Sequence, residues 1–281
     1  MSKLVLGTVQ FGLDYGVTNQ LGQVPKKNIR KILDFAKENG INSLDTAPAY
    51  GDSEKILGEI GVEDFDIISK TNSLNDGVNL VESKFQISLE KLGKKQLEGL
   101  LVHNINDIKN IHFDELYKMM FRLKKEGLVK KIGFSAYTPD QVDFLLANVD
   151  FDLIQLPFNV FDTRLIEGGQ LKLLKTNNVE IHARTVFLQG VLLDFNSLSE
   201  YFIEWKDQFI DYQSMVRESG LSLLEYSLQF VMNMPEIDKV LVGVNSINQL
   251  KEIILAASTK NNVKAYPIND LSLVNPALWK L

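Results

Sequence analysis

The chain has 281 residues, of which 45% are hydrophobic and 23% charged, with a formal net charge of −6 and no cysteine. This composition is typical of a globular protein with a large core, and it argues against disorder. The acidic balance argues against a nucleic-acid-binding face, which needs clustered lysine and arginine, and the missing cysteines exclude disulfides, thiolate nucleophiles and cysteine-bound metals.

Eight short apolar segments predict strands, and amphipathic stretches with helical spacing lie between them. The strand segments are KLVLGT (3–8), INSLDT (41–46), FDIISKT (65–71), LEGLLVHN (97–104), KKIGFS (130–135), FDLIQLP (151–157), VEIHARTV (179–186) and DKVLVGV (238–244). The predicted helices lie within residues 24–40, 76–93, 114–127, 138–149, 163–178 and 246–258. In the first of them Ile29, Ile32 and Leu33 share one face, and Gly40 is placed to end the helix. This alternation favours a parallel sheet.

Eight strand–helix units without a flexible linker predict a closed (β/α)8 TIM barrel that forms a single domain over residues 1–281. An open doubly wound sheet is the alternative. The aromatic spacing between residues 201 and 212 predicts a helix inside an excursion, residues 192–220, that follows the seventh strand. Residues 259–281 are expected to form a tail over one end of the barrel.

The apolar runs are too short for a signal peptide or a membrane span. We therefore expect a cytoplasmic protein without membrane or nucleic-acid partners, and we predict no metal site.

Polar side chains end three neighbouring strands. Asp45, Lys70 and His103 end the second, third and fourth strands, and Tyr50 follows in the loop after the second. Each residue alone also has an ordinary structural interpretation: Asp45 as a helix cap, Lys70 as a solvated strand end, and His103 and Tyr50 as residues packed at the rim. Because the carboxyl ends of barrel strands meet at one rim, all four are expected to converge there. A buried ammonium needs an anion, and Asp45 is the candidate partner for Lys70.

The segment LDTAPAYGDSEKILG (44–58) resembles the DTAxxYGxxExxLG signature of the aldo/keto reductases. The segments ISKT, LLVHN, IGFSAYT, LIQLPFN and VGVNSINQLKEI follow in the order found in that family, so the resemblance spans residues 3–258. It implies a barrel enzyme that binds a nicotinamide cofactor without a Rossmann domain. The absence of a GxGxxG motif agrees with this.

The resemblance also implies catalytic roles. Tyr50 corresponds to the proton donor, and Asp45, Lys70 and His103 correspond to the residues that tune it. A phenol titrates near pH 10 in water, so we expect Lys70 to lower the pKa of Tyr50 and Asp45 to hold Lys70 in place. His103 is expected to orient the substrate carbonyl.

On the nicotinamide side the resemblance implies that Ser135 and Gln155 bind the carboxamide. The asparagine that usually follows this serine is Ala136 here, and Asn159 is a candidate replacement. Arg184 stands where many relatives place an aromatic residue that stacks on the nicotinamide. Its charge would serve a phosphate of the cofactor, or a phosphate or carboxylate of the substrate; a rim salt bridge is the alternative.

Two further segments are implied to hold the rest of the cofactor. Residues 185–190, with Phe187 and Gly190, are expected to run along the pyrophosphate. The adenosine end is expected at the last strand, and its candidate residues are Gly243, Asn245, Gln249 and Glu252. No arginine stands there to bind a 2′-phosphate, and Lys251 is expected to point away. NADP is kept ahead of NAD because of the family, with NAD a close alternative.

The loop after the first strand, residues 7–25, is rich in glycine and lies at the catalytic rim. We expect Phe11, Tyr15 and Asn159 to form walls of the substrate pocket, although the glycines alone would suit a sharp turn. The form of this loop resembles aldo/keto reductases of bacterial surface-sugar pathways, which implies a sugar carbonyl as substrate.

These inferences lead to one main hypothesis, an NAD(P)-dependent enzyme that interconverts a carbonyl and an alcohol with Tyr50 as general acid and base. The alternative is a regulatory or binding protein that keeps the scaffold with little turnover. A glycosidase would need two carboxylates at strand ends, and only Asp45 qualifies.

Overall fold

The computed structural model describes residues 2–281, apart from the side chain of Asp76. Its eight strands close into a barrel in chain order, and each strand pairs in parallel with its neighbours. The strands are β1 (Leu4–Gly7), β2 (Ser43–Asp45), β3 (Asp66–Lys70), β4 (Leu97–Val102), β5 (Val129–Ser135), β6 (Leu153–Pro157), β7 (Glu180–Arg184) and β8 (Lys239–Gly243). The predicted TIM barrel is confirmed, and the open sheet is excluded.

Helices surround the barrel. They are α1 (Val9–Gly12), α2 (Lys26–Glu38), α3 (Ser53–Ile60), α4 (Val78–Leu92), α5 (Phe113–Lys125), α6 (Pro139–Asn148), α7 (Arg164–Glu167), α8 (Gln170–Thr176), α9 (Lys206–Glu218), α10 (Leu223–Met232), α11 (Ile247–Ser258) and α12 (Leu271–Val274). Short 3-10 helices cover Leu74–Asp76, Ile105–Lys109, Leu188–Gly190, Glu200–Trp205 and Pro276–Leu278. Within the described part of the chain, none of the helices combines the length and hydrophobicity needed to cross a bilayer.

One predicted helix is wrong in its extent. Residues 163–178 form two short helices, α7 and α8, because the chain breaks at Gly168 and Gly169. Gly169 has a φ of 78°, a left-handed conformation that glycine adopts without strain and that ends a right-handed helix. Two helices that the spacing did not single out, α3 and α10, complete the outer layer.

The excursion after β7 and the C-terminal tail pack on each other. The predicted helix of the excursion is α9, preceded by the 3-10 helix Glu200–Trp205. The indole nitrogen of Trp205 donates to Asp270 Oδ2 at 2.9 Å, and the Tyr201 hydroxyl donates to the Ser272 carbonyl at 2.8 Å. Trp205 is buried, so most of this aromatic surface belongs to the core.

Side-chain alternation inside the barrel places the polar residues at one end. Ile68, Leu101 and Leu153 form a small buried cluster of their own. Each of these residues is followed, two positions later, by a polar one: Lys70, His103 and Gln155. Because alternate residues of a strand share a face, these polar side chains also point into the barrel. An apolar layer therefore lies beneath the polar end of the barrel.

Candidate active site

A cavity of about 930 Å³ opens at the carboxyl ends of the strands. That volume lies near the upper end of the range for ligand pockets, and the position is the usual one for a barrel enzyme. The predicted residues that line it are Tyr15, Asp45, Tyr50, Lys70, His103, Ser135, Gln155, Arg184, Phe187, Gly190, Gly243, Asn245, Gln249 and Glu252. The structure thus brings the predicted catalytic and cofactor residues to one cavity.

Lys70 and Asp45 form a buried ion pair. The distance from Lys70 Nζ to Asp45 Oδ1 is 2.6 Å, and the two side chains are 1% and 4% exposed. The ammonium also donates to the Thr46 carbonyl at 3.0 Å. Burial alone would lower the pKa of Lys70, but Asp45 and Tyr50 together more than offset that effect and the pKa is raised. Lys70 is therefore held as a cation.

Tyr50 lies beside this pair. Its ring centroid is 4.9 Å from Lys70 Nζ and 5.9 Å from the His103 ring, which meets it edge to face. Burial raises the pKa of the Tyr50 hydroxyl, and Lys70 opposes that rise. This corrects the expected net lowering: desolvation outweighs the effect of the ammonium, so the pKa of Tyr50 is raised and the hydroxyl is held in the protonated form that can donate a proton.

His103 is a neutral imidazole at physiological pH. Burial lowers its pKa to about 4, and the nearby Lys70 contributes further to the lowering. A neutral imidazole carries one N–H donor and one acceptor nitrogen. His103 can therefore donate a hydrogen bond to a carbonyl oxygen without competing with Tyr50 as the acid.

Two glycines fix the loop that carries Tyr50. A Cβ on Gly12 would lie 1.8 Å from the Tyr50 carbonyl oxygen, and a Cβ on Gly51 would lie 2.4 Å from the Gly12 carbonyl oxygen. The two backbone segments therefore touch, and no larger residue fits at either position. The next side chain, Ser53, is fully buried and bonds Thr8 Oγ1 at 2.9 Å, which ties α3 to β1.

Glu54 is buried and anchors α3 on its other side. Its two oxygens accept hydrogen bonds from Ser69 at 2.8 Å and Ser88 at 2.9 Å. Ser53 and Glu54 lie in the signature segment, but the sequence predicted no role for them. Their polar character gave no sign of burial, because a carboxylate is buried only where partners from distant segments meet it.

Gln155 has a partner within the chain that the sequence did not predict. Its Nε2 donates to Asp45 Oδ2 at 2.7 Å, which leaves its side-chain oxygen for a ligand. The Ala136 methyl is buried, and the Ala136 carbonyl oxygen accepts from Arg184 Nη2 at 3.2 Å. Asn159 does not replace the missing asparagine, because both groups of its side-chain amide bond to the protein backbone.

Two residues predicted for the pocket wall do not reach the cavity. Phe11 is fully buried in the hydrophobic core, where α1 turns its ring away from the rim. Asn159 is also fully buried: its Nδ2 donates to the Thr185 carbonyl at 3.2 Å, and its Oδ1 accepts from the backbone of Phe161 at 3.0 Å. Both groups of the Asn159 amide are occupied in shaping the β6 loop.

The segment after β7 is held in unusual backbone geometry. Thr185, Leu188 and Gln189 have φ values of 61°, 47° and 54°, and these are non-glycine residues in the left-handed region. Such conformations cost energy and persist where the surroundings fix them, often at ligand sites. The Val17 amide donates to the Gln189 carbonyl at 3.1 Å, so the loop after β1 reaches across to this segment.

The other end of the cavity is formed by β8 and α11. The backbone N–H of Asn245 donates to Gln249 Oε1 at 2.7 Å, and the side-chain Nδ2 of Asn245 donates to the Gly22 carbonyl at 3.2 Å. Glu252 also lines this end. Lys251 turns outward, with its Nζ 5.5 Å from the Phe35 ring centroid. Among the described lining residues the cations are Lys70 and Arg184, both at the catalytic end.

Several lining residues were not predicted. Tyr137 and Gln10 are the most informative, since Tyr137 stacks on Arg184 and Gln10 contacts Gly243. Tyr137 follows β5 directly in FSAYT, and this position after a strand end was the available signal. Gln10 had no such signal, because its place depends on the turn into α1.

The residues present fit a dinucleotide. The cavity runs from the catalytic four to Glu252 without interruption. Arg184 and Gln10 line it, and their Nε and Oε1 atoms are buried without a hydrogen-bond partner within residues 2–281. At Gly190 a Cβ would lie 1.9 Å from Thr18 Oγ1, so this point of the wall has no room for a side chain. A long cavity with polar side chains along its length suits an extended polar ligand.

Comparison with known proteins agrees with this geometry. The chain is 28% identical to an uncharacterized oxidoreductase YqkF of Bacillus subtilis, over 94% of this chain and 95% of that protein. It is 24% identical to D-arabinose 1-dehydrogenase of Saccharomyces cerevisiae, over 89% and 81% of the two chains. The solved aldo-keto reductase AKR11C1 of Bacillus halodurans, in its holo form, has the same fold, with a TM-score of 0.75, 23% identity and coverage of 93% and 88%. The profile of the aldo/keto reductase family matches residues 3–271, and the chain belongs to that family.

Proposed function

We propose that this protein is a nicotinamide-dependent oxidoreductase that interconverts a carbonyl and an alcohol on a small polar substrate such as an aldose. The observation that carries the proposal is the meeting of Tyr50, His103 and the Lys70–Asp45 pair at one end of a cavity large enough for a dinucleotide. Membership of an oxidoreductase family supports the reaction class. The similarity to an enzyme named D-arabinose 1-dehydrogenase supports a sugar substrate.

The cofactor, when bound, supplies or accepts the hydride. The chain's own residues handle the proton. In reduction His103 donates a hydrogen bond to the carbonyl oxygen and orients it, and Tyr50 transfers its hydroxyl proton to that oxygen as negative charge develops. The Lys70 ammonium stabilises the phenolate that remains, and Asp45 keeps Lys70 charged and in place. Water then returns the proton to Tyr50.

The lining of the cavity supports a set of proposed cofactor contacts. Ser135 and the side-chain oxygen of Gln155 would bind the nicotinamide, and the segment 185–190 with Phe187 and Gly190 would lie along the pyrophosphate. Asn245, Gln249 and Glu252 would bind the adenosine. A 2′-phosphate needs charged donors, and the described lining offers none there. The family points to NADP, whereas this lining favours NAD(H), and we propose that NAD(H) binds at least as tightly.

The variant Tyr50→Phe tests the proposed function. Removing the hydroxyl deletes the proton donor and keeps the ring, so kcat for an accepted aldehyde should fall by about 10²- to 10⁴-fold while the melting temperature stays unchanged. Survival of turnover within about threefold would show that Tyr50 is not the acid. A protein that binds cofactor but turns over no carbonyl would instead support the regulatory alternative.

A further inference from the structure

Arg184 is the second cation at the catalytic end of the cavity, and its environment is unlike that of Lys70. Its guanidinium carbon lies 4.1 Å from the Tyr137 ring centroid, so the group stacks on that ring. Nη1 donates to Thr185 Oγ1 at 3.2 Å and Nη2 to the Ala136 carbonyl at 3.2 Å. These contacts hold the guanidinium in one orientation through neutral acceptors alone.

No carboxylate neutralises Arg184 among the residues that the structure describes. Its Nε is buried and has no hydrogen-bond partner there. Arg164, by contrast, is neutralised by a carboxylate: its Nε and Nη2 donate to the two oxygens of Asp162 at 2.8 and 2.7 Å. Arg184 is half-buried, and no carboxylate of the described chain offsets the partial desolvation of its guanidinium. An anionic ligand in the cavity would supply the missing partner.

The charge at the catalytic end is consistent with an anionic ligand. The cations lining this end are Lys70 and Arg184, while the carboxylate there is Asp45, which Lys70 and Gln155 already occupy. One positive charge is therefore left over in a partly desolvated space, where electrostatic interactions are stronger than in water. Arg184 is the group that carries it.

The position of Arg184 indicates that the anion belongs to the substrate. The guanidinium acts electrostatically on Tyr50, His103 and Tyr15, which lie around the place where a carbonyl would react. A planar guanidinium can bind a carboxylate or a phosphate in two-point geometry, but the single positive charge left at this end balances one carboxylate and would leave a phosphate dianion half-compensated.

We propose that Arg184 binds the carboxylate of the substrate, and that the enzyme selects carbonyl compounds that carry an acid group, such as uronic or other oxo acids, over neutral carbonyls of the same size. This inference rests on the proposed function and names its substrate class. Arg184 would act as a specificity-determining residue that anchors the acid group while the carbonyl lies at Tyr50 and His103.

The test compares D-glucuronate with D-glucose, which differ in the acid group, in the wild type and in the variants Arg184→Gln and Arg184→Lys. We expect Arg184→Gln to lose at least tenfold in kcat/KM for D-glucuronate and less than threefold for D-glucose. Arg184→Lys keeps the charge and should retain part of the preference. The Kd values of NADH and NADPH should change by less than threefold in both variants.

Three results would overturn the inference: equal losses on both sugars, a wild type that prefers D-glucose, or a tenfold rise in cofactor Kd, which would assign Arg184 to the cofactor. If Arg184→Gln does not fold, the test is the dependence of wild-type kcat/KM on salt concentration. Screening should lower kcat/KM for D-glucuronate and leave that for D-glucose unchanged. If no carbonyl is reduced at all, the proposed function fails by itself. The anion site is then read from the Kd of D-gluconate against that of sorbitol on the cofactor-bound protein, where equal values would contradict it.

Discussion

Gln155 on β6 donates a hydrogen bond of 2.7 Å to Oδ2 of Asp45 on β2, the strand on the opposite side of the barrel. The other carboxylate oxygen, Oδ1, lies 2.6 Å from the Lys70 ammonium. Both oxygens of this buried carboxylate therefore have a donor, and its orientation toward Lys70 is fixed from two directions. Gln155 thus positions the ion pair in addition to offering its side-chain oxygen to a ligand.

Replacing Gln155 with leucine should impair both stability and catalysis. The change leaves Asp45 Oδ2 buried without a donor, which costs about 1–3 kcal/mol in the free energy of unfolding. Because Asp45 then loses one of its two constraints, we expect kcat to fall about tenfold. Denaturant unfolding and steady-state kinetics measure the two effects.

Gln170 provides the matched control for that variant. It is also buried, and its Nε2 donates to Asp143 at 3.1 Å, but it does not line the cavity. Gln170→Leu should lower stability and leave kcat unchanged. Equal kinetic losses in the two variants would mean that the effect at Gln155 is a general consequence of instability.

The variant Lys70→Met should destabilise the protein strongly. It leaves the Asp45 carboxylate buried without its cation, and breaking a buried pair in this way costs about 3–5 kcal/mol. The double variant Lys70→Met with Asp45→Leu removes both charges and should recover most of that loss while remaining inactive. Urea unfolding monitors each protein.

An exposed ion pair calibrates this measurement. Lys26 and Glu59 lie 2.5 Å apart with side chains 50% and 43% exposed, and Lys26→Met should change the free energy of unfolding little, because water screens an exposed pair. A cost at Lys70 no larger than at Lys26 would contradict the view that the buried pair depends on both partners.

Much of this architecture follows from sequence for a physical reason. Strand identity depends on short apolar runs, so all eight strands were predicted, and the convergence of Asp45, Lys70 and His103 follows from the closed parallel topology. The break at Gly169 was missed because an apolar period continued across it. The bond between Gln155 and Asp45 joins residues 110 positions apart, and local spacing carries no information about such a pair.

Local sequence spacing was also insufficient to predict the direction of the Tyr50 pKa shift and the residues of the pocket walls. Sequence identified the ammonium that lowers this pKa, but the opposing effect of burial appears only once the loops enclose the ring. Phe11 and Asn159 were placed at the rim by their position after strands. Their actual direction depends on the turn into α1 and on the bonds of the β6 loop.

The low pKa of His103 gives a pH prediction. Its folded-state value is about 4 against an ordinary value of 6.5, so between these values the unfolded chain binds more protons. The contribution of this residue to stability is complete above pH 6.5 and is lost as the pH falls toward 4. We expect His103→Gln to flatten the dependence in that window, as followed by urea unfolding at several pH values.

Because the His103 imidazole stays neutral well below physiological pH, kcat/KM of the wild type should show no acid limb near pH 6.5. A limb at that pH which disappears in His103→Gln would show that the imidazole titrates normally and is not the buried neutral group described above.

The variant Gly190→Ala should damage the cofactor segment. Gly190 has a φ of 98°, and an added Cβ would lie 1.9 Å from Thr18 Oγ1, so the Thr18 side chain or the 185–190 segment would have to shift. We expect the Kd of the preferred cofactor to rise at least tenfold, as measured by fluorescence titration. Gly169→Ala is the control: its φ is 78°, but nothing lies within 4 Å of the added Cβ. A similar rise in both variants would attribute the effect to backbone strain alone.

The proposed adenosine end of the cavity predicts the order of cofactor affinities. Asn245, Gln249 and Glu252 line it, and a 2′-phosphate placed there would meet a carboxylate and no described cation. We therefore expect the wild type to bind NADH at least as tightly as NADPH. Gln249→Arg adds a charged donor and should tighten NADPH binding by about tenfold while changing NADH by less than threefold.

Lys251 is the control for the cofactor titrations, because its Nζ lies over the Phe35 ring and it does not line the cavity. Lys251→Ala should leave both affinities unchanged. Tighter binding of NADPH by the wild type would mean that a cation outside the described lining reaches the 2′-phosphate. A loss of NADPH affinity in Lys251→Ala would identify Lys251 as that cation, since its side chain would then have left Phe35 and turned into the groove.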